Sequence, residues 1–170
     1  MSDVITAVKG QAVNLSGDNN VEFTIEELFN HTAVLMKHEL QDKLVTMNIE
    51  NKCKDIVLNG NINNLVQVLN NIISNAIQCY TNEPKKEVDL KAYVENENIV
   101  LAIRDYGPGL PDSVKDKLFK EMITTKGKAG TGLGVYMSFS MIKAKFNGDI
   151  KFDTSKEGTE FRIYIPMKNI

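Results

Sequence analysis

The sequence predicts an α+β fold, a two-layer sandwich of helices against one sheet. Three observations carry that expectation. Helix-period patterns come early in the chain and paired, alternating strands come late. A length of 170 residues suits one domain with a real core and is short for two. No apolar run approaches the ~20 residues of a membrane span, and no basic-then-apolar start reads as a signal peptide.

Ile5, Val8, Ala12 and Leu15 recur at helical spacing before a loop at Ser16-Gly-Asp-Asn-Asn20. Residues 1–20 therefore read as the end of a preceding helix plus a linker, and 21–170 as the domain proper. Val21 to Phe23 alternates as a short strand. Thr24 with Glu27 is a capping box, opening a helix that carries Leu28, Phe29, Ala33, Leu35, Met36 and Leu40. Strands are expected over Leu44–Ile49 and Asp55–Leu58, then a helix from about Asn61 to Tyr80. Val88–Val94 and Asn98–Arg104 alternate on either side of Glu95-Asn96-Glu97, a hairpin signal. A short helix over Ser113–Phe119 and a flexible glycine-lysine segment over Thr124–Gly132 follow. Next come a helix from about Leu133 to Phe146, a turn at Asn147-Gly148, and strands at Ile150–Phe152 and Thr159–Ile165 around Glu157-Gly158.

Composition excludes more than it assigns. Hydrophobic residues are 42% and charged residues 25%, ordinary for a soluble globular chain. A net charge of −2 argues against nucleic acid as a bulk electrostatic partner. Cys53 and Cys79 form neither a disulfide framework nor a metal-ligand pair by spacing, which fits a reducing cytoplasm. Cys79, at the end of the polar-faced helix, is either accessible from a pocket there or, the first reading, a small buried hydrophobe.

The helix over 61–80 is unusual for having no charged residue. Asn63, Asn64, Gln67, Asn70, Asn71, Ser74, Asn75 and Gln78 share one arc of about 140° on a helical wheel. A neutral polar face of this kind suits a polar ligand or ion that needs donors and acceptors but no fixed charge. Asn71 and Asn75, four apart, project side by side, and their carbonyl oxygens suit a hard cation such as Mg²⁺. The plainer alternative is an amide pair that caps nearby backbone. Asp105 closes an alternating strand just before Gly107 and Gly109, where a carboxylate can accept from an exocyclic amine while the glycines admit a flat base. Alternatively it merely opens a turn. Gly130-Thr131-Gly132-Leu133-Gly134 precedes a helix, so exposed backbone N–H groups there favour phosphate. It is neither the dinucleotide fingerprint nor a P-loop. Lys126 and Lys128 either reach phosphates as point charges or are solvated loop residues.

In this order the elements resemble the ATP-binding domain of bacterial sensor histidine kinases, within the GHKL superfamily of gyrase, chaperone and mismatch-repair ATPases. Leu65 to Ala76 looks like the N box, Asp105-Tyr-Gly107-Pro-Gly109-Leu110 like the G1 box, and Leu118-Phe119 with Thr124-Thr125-Lys126 like the F box. Gly130 to Gly134 resembles the G2 box, and Gly158-Thr159-Glu-Phe161 the closing segment. The resemblance implies a GHKL-type sandwich, a mixed, mainly antiparallel sheet against about three helices with a mobile ATP lid. It implies Asn75 as Mg²⁺ ligand, Asn71 assisting at metal or phosphates, Asp105 and Thr159 at adenine, and Lys126 with the backbone at Gly130, Gly132 and Gly134 on the phosphates. Tyr80, Gly107, Gly109, Thr131 and Leu133 complete the expected nucleotide contacts. Three positions depart from the family pattern. Gln78 stands where Lys is frequent, Cys79 where an aromatic is frequent (Tyr80 follows it), and Glu121-Met122 where Pro-Phe is usual.

A histidine kinase also needs a phospho-accepting histidine on a helical hairpin. His38-Glu39-Leu40 superficially resembles that motif, but the hairpin cannot fit between His38 and the N box, so His38 reads as a surface residue of the first helix. The resemblance thus implies an excised catalytic domain, cytoplasmic and monomeric, which binds ATP and ADP. Its partners would be the absent dimerisation and phosphotransfer hairpin and a response-regulator receiver domain. Alternatives are an anti-sigma serine kinase or ATPase of the same superfamily, disfavoured because Asn71 stands where those place a general-base Glu, and a degenerate interaction domain.

Overall fold

The computed structural model describes residues 21–81, 83–115 and 131–167, with backbone alone at 113 and 131–136. The expected helix and linker over 1–20, the F box, Lys126, Lys128 and Gly130 lie outside the described residues.

Among the described residues, seven strands and four helices follow in the order β1 (Val21–Thr24), α1 (Ile25–Lys43), β2 (Thr46–Asn51), β3 (Val57–Gly60), α2 (Ile62–Gln78), β4 (Glu87–Glu95), β5 (Asn98–Asp105), α3 (Asp112–Lys115), α4 (Thr131–Phe146), β6 (Asp149–Ser155) and β7 (Gly158–Pro166). The main sheet has five strands in the order β2-β4-β5-β7-β6. Only the β2–β4 pair is parallel. β1 and β3 form a separate antiparallel pair in which Phe23 faces Leu58. This is the expected two-layer α+β sandwich: α1, α2 and α4 supply one layer and the sheet the other.

Period explains the core. Val88, Leu90 and Ala92 of β4, Ile99, Leu101 and Ile103 of β5, and Phe161, Ile163 and Ile165 of β7 sit two apart and are all buried on the helix-facing side. α2 meets them with Leu65, Val66, Val68, Leu69, Ile72, Ile73, Ala76 and Ile77, every one buried. α1 adds Ile25, Leu28, Phe29 and Met36, and α4 adds Ile142 and Phe146. The polar arc of α2 is left off this core and lies between α1 and α4.

The local signals place the chain. At the start of α1, Glu27 N donates to Thr24 Oγ1 at 3.1 Å and Thr24 N donates to Glu27 Oε1 at 3.1 Å, the reciprocal box expected. Asn96 and Glu97 turn from β4 into β5 with φ of 50° and 65°, the left-handed pair a two-residue hairpin demands. The second strand begins two residues later than the sequence pattern suggests. Leu44 is not in it; with φ 58° it is the left-handed C-cap of α1, and its N–H bonds back to Gln41 and Leu40 carbonyls. The glycine loop's last residues are helical as well: α4 starts at Thr131, so Thr131 and Gly132 belong to its first turn. His38 is exposed on α1, and neither Cys53 nor Cys79 is in a disulfide. Among the described residues no helix is long and apolar enough to cross a membrane.

Leu44 pays for its position twice, with a left-handed backbone and a side chain that is 80% exposed. Leu44→Gly is expected to raise stability by about 0.5–1 kcal/mol, read as a higher denaturation midpoint in urea.

Candidate functional site

A cavity of about 420 Å³ opens between α2 and the end of the sheet where β5 and β7 meet the loop after β5. That size is within the range of roughly 300–1,000 Å³ typical of small-molecule sites. Ile72 and Ala76 of α2 face Ile103 and Phe161 of the sheet across it, giving apolar walls. Asn75 and Gln78 of α2, its C-cap Cys79, Asp105 at the end of β5 and Thr159 of β7 add polar groups, and Pro108, Gly109 and Leu110 close one side.

Asp105 is the most constrained of these. Only 8% exposed, it accepts through Oδ1 from Gly107 N at 3.0 Å and from Thr159 N at 3.2 Å. Both backbone donors fall on the same oxygen, Oδ1, and the Cys79 thiol also hydrogen-bonds the carboxylate. Burial pushes its pKa above the ordinary value of 3.8, although the two backbone N–H groups and the Cys79 thiol pull the other way. Thr159, also buried, shares a 2.8 Å hydrogen bond with Thr154 Oγ1, which accepts from Leu110 N at 2.8 Å. The loop after β5 is thereby fastened to the β6–β7 hairpin.

Glycine is required at two points of that loop. A Cβ on Gly107 would stand 2.4 Å from Cys79 Sγ. Gly109 combines φ of +86° with a 2.1 Å approach of any Cβ to the Ser155 carbonyl oxygen. Both glycines serve close approach of the loop to its neighbours, and Gly109 also lines the cavity.

The structure gathers Asn75, Asp105, Gly109 and Thr159 around one cavity, with Gly107 immediately behind. Asn71 is placed one turn up α2, where its Nδ2 lies 3.4 Å from Ser138 Oγ of α4. Thr131, Gly132, Leu133 and Gly134 form the first turn of α4.

Tyr80 departs from its expected place. It is 6% exposed and does not line the cavity. Its hydroxyl donates to Glu87 O at 2.5 Å and accepts from Tyr106 N at 2.7 Å, so the phenol fastens the end of α2 to the start of β4 and the end of β5. Burial raises its pKa to about 12. The side chain one residue earlier, Cys79, holds the cavity wall instead of being a wholly buried hydrophobe. Helical phase is the reason: Cys79 follows Asn75 by four and shares its face, while Tyr80 follows Ala76 and Ile77 toward the core. Ile72, Ala76, Ile103 and Phe161 were legible only as core positions, since periodicity does not distinguish a wall of a cavity from a filled interior.

A family model described as Histidine kinase-, DNA gyrase B-, and HSP90-like ATPase matches residues 60–169. The chain belongs to this family. Sporulation kinase A of Bacillus subtilis (strain 168) is 28% identical over 145 residues, covering 85% of this chain and 23% of that protein. The catalytic domain of histidine kinase ThkA superposes with a TM-score of 0.73 at 23% identity, covering 88% of this chain and 96% of the other. A structure of histidine kinase ThkA in complex with response regulator protein TrrA matches at a TM-score of 0.72 and 22% identity over 98% of this chain and 48% of that one. Matched curated relatives are 20% to 38% covered by this chain. The relatives are sensor kinases and the fold is that of histidine kinase catalytic domains, as the boxes in the sequence suggested.

The donor set fits Mg²⁺. Among the described residues no group of three or more His, Cys, Asp and Glu could cage a metal. A cation at this cavity would take an amide oxygen from Asn75 and the rest of its shell from phosphate and water, which is how Mg²⁺ is commonly held.

Two outcomes are expected at the site. Asp105 has a raised folded pKa, so its contribution is neutral below the unfolded value and becomes a cost as pH rises through the folded one. Asp105→Asn keeps an Oδ1 acceptor for both N–H groups, so the ligand-free protein should be more stable than the parent at pH 7, the gain shrinking toward pH 4, in paired urea titrations. Tyr80→Phe leaves a half-buried N–H and C=O without their partner and should cost about 1–3 kcal/mol in the same assay.

Proposed function

We propose that this chain binds Mg-ATP and supplies its γ-phosphoryl group to a histidine on a helical hairpin outside the chain, from which it passes to a response-regulator receiver domain. The observation that carries this reading is Asp105, buried and aimed by two backbone N–H groups, on the wall of a cavity whose other wall presents Asn75. Family membership supplies the nucleotide class. The sensor-kinase relatives and the ThkA–TrrA complex support the two-component setting.

Asp105 Oδ2 accepts from the exocyclic amine of adenine, and the Thr159 hydroxyl stands beside it. Ile72, Ala76, Ile103 and Phe161 cover the faces of the base and exclude water, which strengthens that polar contact. The polar face of α2 then runs toward the phosphates, with Asn75 and Asn71 in succession. Lys126 and the backbone at Gly130 meet the phosphates from the lid, and the backbone at Gly132 and Gly134 from the first turn of α4. When bound, Mg²⁺ neutralises phosphate charge and aligns the transferring group.

Phosphoryl transfer asks the protein mainly for position and charge compensation. Asn71 cannot take a proton, so the α2 face does not activate water or a serine hydroxyl. That separates this reading from an ATPase or a serine kinase and makes the acceptor hairpin the missing reactant.

Calorimetry should give micromolar-to-millimolar ATP binding in Mg²⁺, weakened about tenfold or more in Asp105→Asn. Hydrolysis should stay slow until a hairpin bearing the acceptor histidine is added, when acid-labile phosphohistidine appears. Rapid ATP turnover without an acceptor would exclude the kinase reading.

A further inference from the structure

α2 has no ionised side chain of its own, but α1 lays one against it. Glu39, half-buried on α1, accepts from the Ser74 hydroxyl at 2.8 Å, and Ser74 Oγ accepts from Gln78 Nε2 at 3.0 Å. The carboxylate fixes the direction of this chain of bonds. An ionised glutamate only accepts, and a hydroxyl has one proton to give. With that proton committed to Glu39, Ser74 can only accept, so the Gln78 amide must approach it with nitrogen. Its carbonyl oxygen, Oε1, is left without a partner among the described residues.

Gln78 lines the cavity and stands three residues after Asn75, on the same helix face. The cavity is therefore offered Oε1 at this position, with one of the two Nε2 hydrogens already committed to Ser74. A phosphate is repelled by such an oxygen and a cation attracted. Two amide oxygens on adjacent turns, with the charge of Glu39 behind them, match the preference of hard divalent cations for oxygen ligands. We propose that Gln78, beside Asn75, is an oxygen ligand, direct or through water, of the divalent cation that enters with the nucleotide, and that Glu39, acting through Ser74, is the positioning residue that keeps Gln78 in that orientation. This rests on the nucleotide reading above.

Position 78 then trades phosphate attraction for cation attraction. Nucleotide affinity should depend strongly on the cation, and cation affinity equally on the nucleotide, because such coupling is reciprocal.

The test is ATP calorimetry on the full chain in Mg²⁺ and in excess EDTA, for the unaltered protein, Gln78→Lys and Glu39→Gln. Electron paramagnetic resonance titration of Mn²⁺ into the ATP-bound chain reads the cation directly. The unaltered protein should bind ATP at least about tenfold more tightly with Mg²⁺ than with EDTA. Gln78→Lys should reduce that ratio to about threefold or less, mainly by tightening the EDTA value. Glu39→Gln, near-isosteric but able to donate, should weaken Mn²⁺ binding about three- to tenfold and leave ATP binding in EDTA unchanged. A purely structural effect would shift both conditions together, as Asp105→Asn should. A Mg²⁺-to-EDTA ratio that survives Gln78→Lys, or an Mn²⁺ affinity unmoved by Glu39→Gln, would overturn the inference while ATP binding itself upheld the nucleotide reading. No ATP binding by the unaltered chain in either buffer would overturn both.

Discussion

The Asp105 carboxylate is the joint on which the site depends. It ends β5, and its Oδ1 ties that strand's end to Gly107 in the following loop and to Thr159 on the neighbouring β7. β5 lies between β4 and β7 in the main sheet, so the end of β5 is braced from both sides. On one side stands the Tyr80 hydroxyl, joined to Glu87 O of β4 and Tyr106 N. On the other, Gly158 approaches so closely that a Cβ there would meet the Asp105 carbonyl oxygen at 2.0 Å. A buried carboxylate is costly, and its raised pKa is the sign of that cost. The geometry survives because several elements converge to specify it, and an acceptor aimed in advance at a ligand loses little on binding.

A second constraint is the division of α2 into two faces with different tasks. The apolar face is tied to the sheet by eight buried side chains, which fixes the rotation of the helix about its axis. That rotation in turn fixes where the amides point. Asn75, Gln78 and Cys79 reach the cavity, Ser74 reaches Glu39 on α1, and Asn71 reaches Ser138 on α4. The polar arc is thus a seam between two helices for part of its width and a cavity wall for the rest.

Much of this was legible in the sequence because period and capping are local. The capping box at Thr24 and Glu27, the hairpin signal at Glu95-Asn96-Glu97, the α2 stripe and the alternation in β4, β5 and β7 all depend on residues near one another in the chain. The misplaced start of β2 has a specific cause: Leu44 is apolar and looks like the first strand residue, but its left-handed φ ends α1. Position in the family motif drew Tyr80 to the nucleotide, and only the angle between residues 79 and 80 on the helix shows that the cysteine faces the cavity. The apolar walls were invisible as walls, because a side chain lining a space and one filling it follow the same spacing.

Glu39 shows where one-dimensional reading stops. Within α1 it is an acidic residue beside His38 and Leu40, and the only local reading it drew was a superficial likeness to the phospho-acceptor motif. Its meaning comes from Ser74, 35 positions later, whose hydroxyl it accepts. Once that bond is placed, the neutral face of α2 is no longer neutral in its surroundings, and the replacement of a frequent Lys by Gln78 gains a physical partner. A lysine at 78 would bring a cation of its own toward the phosphates. On the proposal made above, a glutamine held by Ser74 presents an oxygen and leaves that task to an ion from solution. The loss of a charge at one position and the arrival of a carboxylate from another helix are then one arrangement.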